Sequence, residues 1–243
     1  MYEDPTPSQP CVDIQDLLCI DGDFALYEAQ AEGRPVQLWV GHGPRSRVAF
    51  VERSSAWLNL APAGLMGSDQ VGHLDDGTPY RLDEQAQGLR AADLDTPLDE
   101  ASILQITETL ARRIGVAHEQ ELVHGAIGLD TLRLAQTSRG WDAALCAPAP
   151  LPDRDSAADL RDLAVLALKL KDPTAALEPA SSRRFQHEGL RNLIRSCLAE
   201  DEALQPANAW AFRQLLEVTP TPARWPFLLA GGVALVTGAL LLG

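Results

Sequence analysis

Clustered positive charge is the plainest lack in this 243-residue sequence: 20 Lys and Arg stand against 34 Asp and Glu, for a formal charge of -14, and no basic run occurs. Nucleic-acid phosphates are neutralised by grouped cations, so the charge pattern argues against nucleic acid as a partner. Cysteine is also scarce. Cys11, Cys19, Cys146 and Cys197 include no CxxC pair and sit mostly among apolar neighbours, the pattern of reduced, buried thiols rather than of a zinc site. His42, His73 and His118 have no metal-ligating partners at workable spacing and are expected at the surface. The opening MYEDPTPSQP is acidic and Pro-rich, with neither the basic start nor the apolar core of a signal peptide. The N-terminal part is therefore expected to stay in the compartment where it is made.

Charge is missing altogether from WPFLLAGGVALVTGALLLG, residues 225–243. As a helix, these 19 residues would span about 28 Å, close to the thickness of a hydrocarbon core, so a transmembrane helix is expected. Pro226 suits the first helical turn and Trp225 the membrane interface. Arg224, the only nearby charge, places the large domain on the cytoplasmic side by the positive-inside tendency. Gly232, Ala234 and Gly238 are small residues of the kind membrane helices carry, and Ala234 to Gly238 has the spacing that can seat a second helix.

What is present is ample apolar content, 46%, enough for a core without covalent staples. Up to about Gly88 the chain reads as short β-like runs, FALYEAQ, PVQLWVG and PYRLDEQ, with EGRP and DDG as turns between them, which predicts an antiparallel sheet. From about Leu98 the period becomes helical: Ile103, Ile106, Leu110 and Ile114; Leu160, Leu163, Leu166 and Leu170; Leu190, Leu193, Ile194, Cys197 and Leu198. NAWAFRQLLE follows as a last amphipathic segment. A small sheet followed by a helical bundle predicts an α+β fold in two lobes.

The order of these segments resembles a bacterial serine/threonine protein kinase domain over roughly residues 15 to 217. IDGDFALYEA is similar to the Gly-rich loop and the strand after it, and GRPVQLWV to the strand that carries the phosphate-binding lysine. LDDGTPYRLDEQAQG resembles the two strands leading to the hinge, VHGAIGLDTLRL the catalytic loop, DLRDLAVLALKL the buried helix of the large lobe, and LIRSCLAEDEALQPANAWAFRQLL the closing helices. The resemblance implies a protein kinase-like fold, a small antiparallel β lobe on a larger helical lobe. The domains expected are a tail at 1–14, the kinase-like domain at 15–217, a linker at 218–224 and the transmembrane helix at 225–243.

The same correspondence implies that the reactive groups are gone. Phosphoryl transfer needs a lysine on the phosphates, side chains holding magnesium and a carboxylate for the hydroxyl proton. The lysine position falls on Trp39, the base on Ala126, and the metal positions on Thr131 and, counting onward without a gap, on Ala144, followed by Leu145 and Cys146. Of the Gly-rich loop only Gly22 remains, beside Asp23 and Ala25; with Trp39 and Glu84 it makes a vestigial cleft. Asp130 and Asp142 flank the empty metal positions as weak candidate ligands. Glu52, in VAFVERSSAWLNL, is placed as the ion-pair glutamate of the small lobe's helix, with no lysine to pair. The stretch CAPAPLPDRDSAA before Asp159 is too short for a protein-substrate platform. His124 and Asp159, which in the family brace the helical lobe, are kept.

The function expected is that of a catalytically inactive pseudokinase with no cofactor, ATP binding being doubtful. It would be held by one span in the inner (cytoplasmic) membrane, with the domain in the cytoplasm. There it would be an interaction or regulatory scaffold for a membrane-associated protein partner. Two other functions fit the sequence: an ATP-dependent phosphoryl- or nucleotidyl-transferase with rearranged metal ligands, and a structural subunit of a membrane complex.

Overall fold

The computed structural model describes residues 11–21, 23–41, 47–58, 68–74, 76–84, 87–146 and 154–217. Five antiparallel strands form the small lobe: β1 (Val12–Asp21), β2 (Phe24–Ala31), β3 (Arg34–Gly41), β4 (Ser68–His73) and β5 (Pro79–Glu84), in the order β1-β2-β3-β5-β4. Helix α1 (Arg47–Leu58) packs on β4 and β5. The predicted EGRP turn is a two-residue hairpin in which Glu32 and Gly33 both have positive φ, 53° and 76°, the twist that two-residue hairpins favour. At the DDG turn the Asp76 carboxylate accepts from Thr78 N at 2.8 Å.

Strand β1 begins at Val12, inside the segment assigned to a tail ending at residue 14, and pairs with β2 from Val12↔Ala31 to Asp21↔Phe24. The strand is hard to read from sequence because Ile14, Leu17 and Ile20 are exposed and two register shifts break its alternation. The ladder fixes it, not a buried face.

The large lobe contains α2 (Glu100–His118), α3 (Ser156–Lys171), α4 (Glu188–Cys197) and α5 (Ala209–Leu216), as their helical periods predict. Each helix starts at a side-chain cap. Asp99 accepts from Ser102 N at 2.9 Å, Asp155 from Ala158 N at 2.9 Å and Asn208 from Ala211 N at 2.9 Å, satisfying otherwise orphaned amides. Helix α3 is buried on nearly every side and carries Lys169 and Lys171 in its last turn, where cations complement the helix dipole. A second, three-stranded sheet, β6 (Leu89–Arg90), β7 (Leu132–Thr137) and β8 (Gly140–Leu145), lies in this mainly helical half. The apolar strand expected after the loop is β7; β8 was not legible as a strand. Leu132, Leu134, Ala143 and Leu145 face the core of α2, α3 and α4.

Among the described residues no helix is long and apolar enough to cross a membrane; residues 225–243, where the span is expected, lie outside them. The linker at 218–224 also lies outside.

Two glycines set how closely the large-lobe helices approach. A Cβ on Gly189 of α4 would collide with the Leu216 carbonyl at the end of α5, whereas one on Gly115 of α2 would meet only the Ala209 methyl at 3.1 Å. Gly189→Ala is expected to cost about 1–3 kcal/mol in urea unfolding. Gly115→Ala should stay near neutral, since better helix propensity offsets about 1 kcal/mol of crowding.

Candidate functional site

Where the lobes meet, the chain from Leu122 to Thr131 crosses between α2 and β7, and its shape is set by one carboxylate. Asp159, fully buried on the first turn of α3, accepts from His124 N at 2.7 Å, from Gly125 N at 2.8 Å and from His118 Nε2 at 2.9 Å. Gly125 has φ 73°, a conformation that side chains disfavour. Burial opposes the charge on Asp159, but the His118 hydrogen bond, the His124 imidazole and the two backbone donors outweigh it and hold the carboxyl below its ordinary range.

His118, expected at the surface, is therefore part of this brace, with a side chain only 9% exposed. It lies at the C-terminal end of α2, where helix geometry turns it toward α3; sequence spacing to Asp159 carries no trace of that. His73 is exposed as expected, and His42 lies outside the described residues.

His124 is buried, and both ring nitrogens are engaged. Nε2 lies 2.9 Å from the Cys146 carbonyl and so donates to it; Nδ1 accepts from Ala126 N at 3.3 Å. That pairing is the neutral imidazole with its proton on Nε2. Trp57 of α1 meets the ring edge-on, at 6.0 Å between centroids. Burial pushes the imidazole down from 6.5 to about 4. The ring is a strut between loop and strand.

The positions expected for the base and the metal ligands hold structural contacts as well. Thr131 Oγ1 donates to Ala126 O at 2.7 Å and accepts from Gly128 N at 3.0 Å, closing the loop on itself. Ala144 and Leu145 lie within β8, paired with Arg133 and Leu132. The residue just past the strand, bonded through its carbonyl to His124 and packed in the cleft, is Cys146, the last of the three reached by the ungapped count. Asp130 is exposed at the cleft mouth, while Asp142 sits opposite Ala135, roughly 10 Å further along the ladder, with its carboxylate toward Arg113 of α2 at 3.7 Å. The structure does not bring those two carboxylates together. Among the described residues there is no group of three or more His, Cys, Asp or Glu that could hold a metal ion. Glu52 is exposed, and its neighbour Arg53, like Trp57, reaches the loop from α1, donating to Val123 O at 2.9 Å. Gly22 and the side chain of Glu84 lie outside the described residues.

The inner face of the small sheet fills the space above the loop. Phe24, Leu26, Trp39 and Phe50 pack with Cys146 into one buried cluster, with Ala126 against it; Phe24 and Phe50 stack at 5.3 Å. Around it lies a buried polar seam that sequence reading missed. Gln37 Nε2 is 2.6 Å from Cys146 Sγ, Arg133 pairs with Glu28, and Arg81, over the Trp39 ring at 5.9 Å, pairs with Asp83 at 2.9 Å. A signal was present: Arg81 and Asp83 alternate with Tyr80 and Leu82, and Arg133 stands between two core leucines. Burial also pushes the Cys146 thiol up, which disfavours the nucleophilic thiolate. What remains open is a cavity of about 280 Å³ at the cleft mouth, lined by Cys19, Ile20, Ala126, Ile127, Asp130 and Thr131 among others.

No protein-family model matches the chain, and no curated protein matches it in sequence. Solved structures do. The kinase domain of Mycobacterium tuberculosis PknI, in two of its variants, aligns at 19% identity over 84% of this chain and 94% of that one, with TM-scores of 0.57 and 0.59. A Rad53 structure in complex with AMP-PNP aligns at 12% identity over 84% of this chain and 64% of that one, with a TM-score of 0.66. The fold is protein kinase-like.

The brace makes a signed prediction about acid. An unfolded chain binds a proton on His124 near 6.5 and the folded one only near 4, so this group lowers stability as pH falls through that window and is without effect above it. The expected slope is at most about 1.4 kcal/mol per pH unit, and Asp159, whose folded value is depressed, adds to the loss at still lower pH. Urea unfolding between pH 7 and 4 measures the slope, and an NMR titration should show the His124 ring neutral down to about pH 4. A ring that titrates near 6.5 removes the assignment.

Proposed function

We propose that this chain is a catalytically inactive pseudokinase: a kinase-shaped domain that binds a protein partner rather than transferring phosphate, tethered to the cytoplasmic face of the inner membrane by residues 225–243. The observation that carries the proposal is the buried cluster of Phe24, Leu26, Trp39, Phe50 and Cys146. In a working kinase the space between sheet and loop holds a nucleotide, and its charge is met by a lysine, metal ions and a carboxylate base. Here apolar side chains fill its inner part and leave the cavity at the mouth, and lobe-to-lobe contacts from Gln37 to Cys146, from Glu28 to Arg133 and from Arg53 to Val123 do the joining.

A metal or nucleotide fits this site poorly. The position meant for a point cation is an indole ring with no exposure, and Arg81 beside it is neutralised by Asp83. The rearranged-ligand enzyme loses support because Asp130 and Asp142 lie apart, the latter facing Arg113. The acidity of the domain favours a basic partner, and a tether of this length would raise its effective concentration toward other membrane proteins.

Thermal unfolding of the full chain in detergent, with no ligand, with ATP plus magnesium and with ATP plus chelator, tests the proposal. No shift is expected. Binding at a hundredfold excess over Kd would add about 2.7 kcal/mol, roughly 5–10 °C, and a shift of that size overturns the filled-cleft reading. Trp39→Lys should not restore nucleotide binding. It removes a buried indole and sets an ammonium beside the Arg81 guanidinium, so it is expected to cost about 3–5 kcal/mol of stability, measured by urea unfolding.

A further inference from the structure

The back of the large lobe carries a feature that the cleft does not use. Helix α5 buries Ala209, Phe212 and Leu216, which leaves Trp210 and Arg213, three residues apart, on its outward side. Trp210 is 68% exposed, the largest exposed aromatic side chain among the described residues. Close packing of α5 on α2 at Gly115 and Ala209 opens a groove of about 410 Å³ whose rim includes Arg112, Val116, Glu119, Trp210 and Arg213. Two guanidinium groups against one carboxylate make this patch locally positive in a chain of net charge -14.

Distance limits what such a surface can meet. Helix α5 ends at Leu216, and the charge-free run begins at Trp225. Nine residues of extended chain reach at most on the order of 30 Å, so the end of α5 cannot stand far from the bilayer. An indole with its apolar body and N–H suits the headgroup layer, and arginines suit lipid phosphates.

We propose that the α2–α5 groove is the face this domain lays on the anionic bilayer surface, with Trp210 seated at headgroup depth and Arg112 and Arg213 on lipid phosphates. The proposal rests on the membrane-tethered reading above. It makes the tether more than a leash: the cleft and the small lobe are turned toward the cytoplasm in a fixed orientation.

The test uses the full chain in vesicles of anionic phospholipid brominated near the headgroup end of the acyl chains, with tryptophan emission as readout. Trp39 and Trp57 are buried, and Trp141, half-buried on β8, does not line the groove, so these three give a constant background. Trp225→Phe should leave quenchable emission, and Trp210→Phe should remove that remaining part. Arg112→Ser with Arg213→Ser should diminish the Trp210 share in anionic vesicles and change it little in zwitterionic ones. Quenching confined to Trp225 overturns the proposal while leaving the tether intact, and leaves the groove to a protein partner. A chain that neither floats with vesicles nor shows quenching at either tryptophan removes the tether and this orientation together.

Discussion

The buried carboxylate of Asp159 is the constraint on which the rest of the molecule depends. It sits on the central helix of the large lobe and takes two backbone donors from the loop and one imidazole donor from α2. A charge with no exposure is tolerated only when its lone pairs are filled. Those three donors therefore fix the path of residues 123–126, and that path presents Val123 O to Arg53 and the His124 ring to Cys146. Core helix, loop, second sheet and small-lobe helix are joined through a single ion.

That continuity joins the two lobes of the kinase-like fold directly. A nucleotide ordinarily supplies contacts to both lobes; this chain makes such contacts with its own side chains, apolar at the centre and ionic at the edge. Trp39 is well used in such an arrangement, since its ring packs against Phe24 and Leu26 while its face receives the Arg81 guanidinium. The inner part of the cleft is a packed seam.

Charge is sorted by depth in the fold. Cations that matter to the fold are drawn inward and paired, Arg81 with Asp83 and Arg133 with Glu28, so the net acidity is left on the surface. The α2–α5 groove departs from that trend, and it lies at the end of the domain from which the chain leaves toward its apolar run.

Much of the architecture was legible because local pattern survives in sequence: the leucine spacing of α3 reports a buried face, and β2 and β3 stand out as short β-like runs on either side of a turn. Strand β1 was not among the β-like runs read from sequence because apolar residues on it face solvent and its ladder is irregular. That an indole, a methyl and a hydroxyl stand at Trp39, Ala126 and Thr131 follows from residue identity alone, so sequence by itself determined the chemistry of these positions. It could not determine what those side chains touch. Placing His118 on Asp159, setting Cys146 against His124, bringing Arg53 rather than Glu52 to the loop and pairing Arg133 with Glu28 all depend on distances between residues 22 to 105 positions apart. Such contacts leave no local pattern, because hydrogen-bond satisfaction in a buried interior is a property of the packed lobes together, and only the tertiary structure decides it.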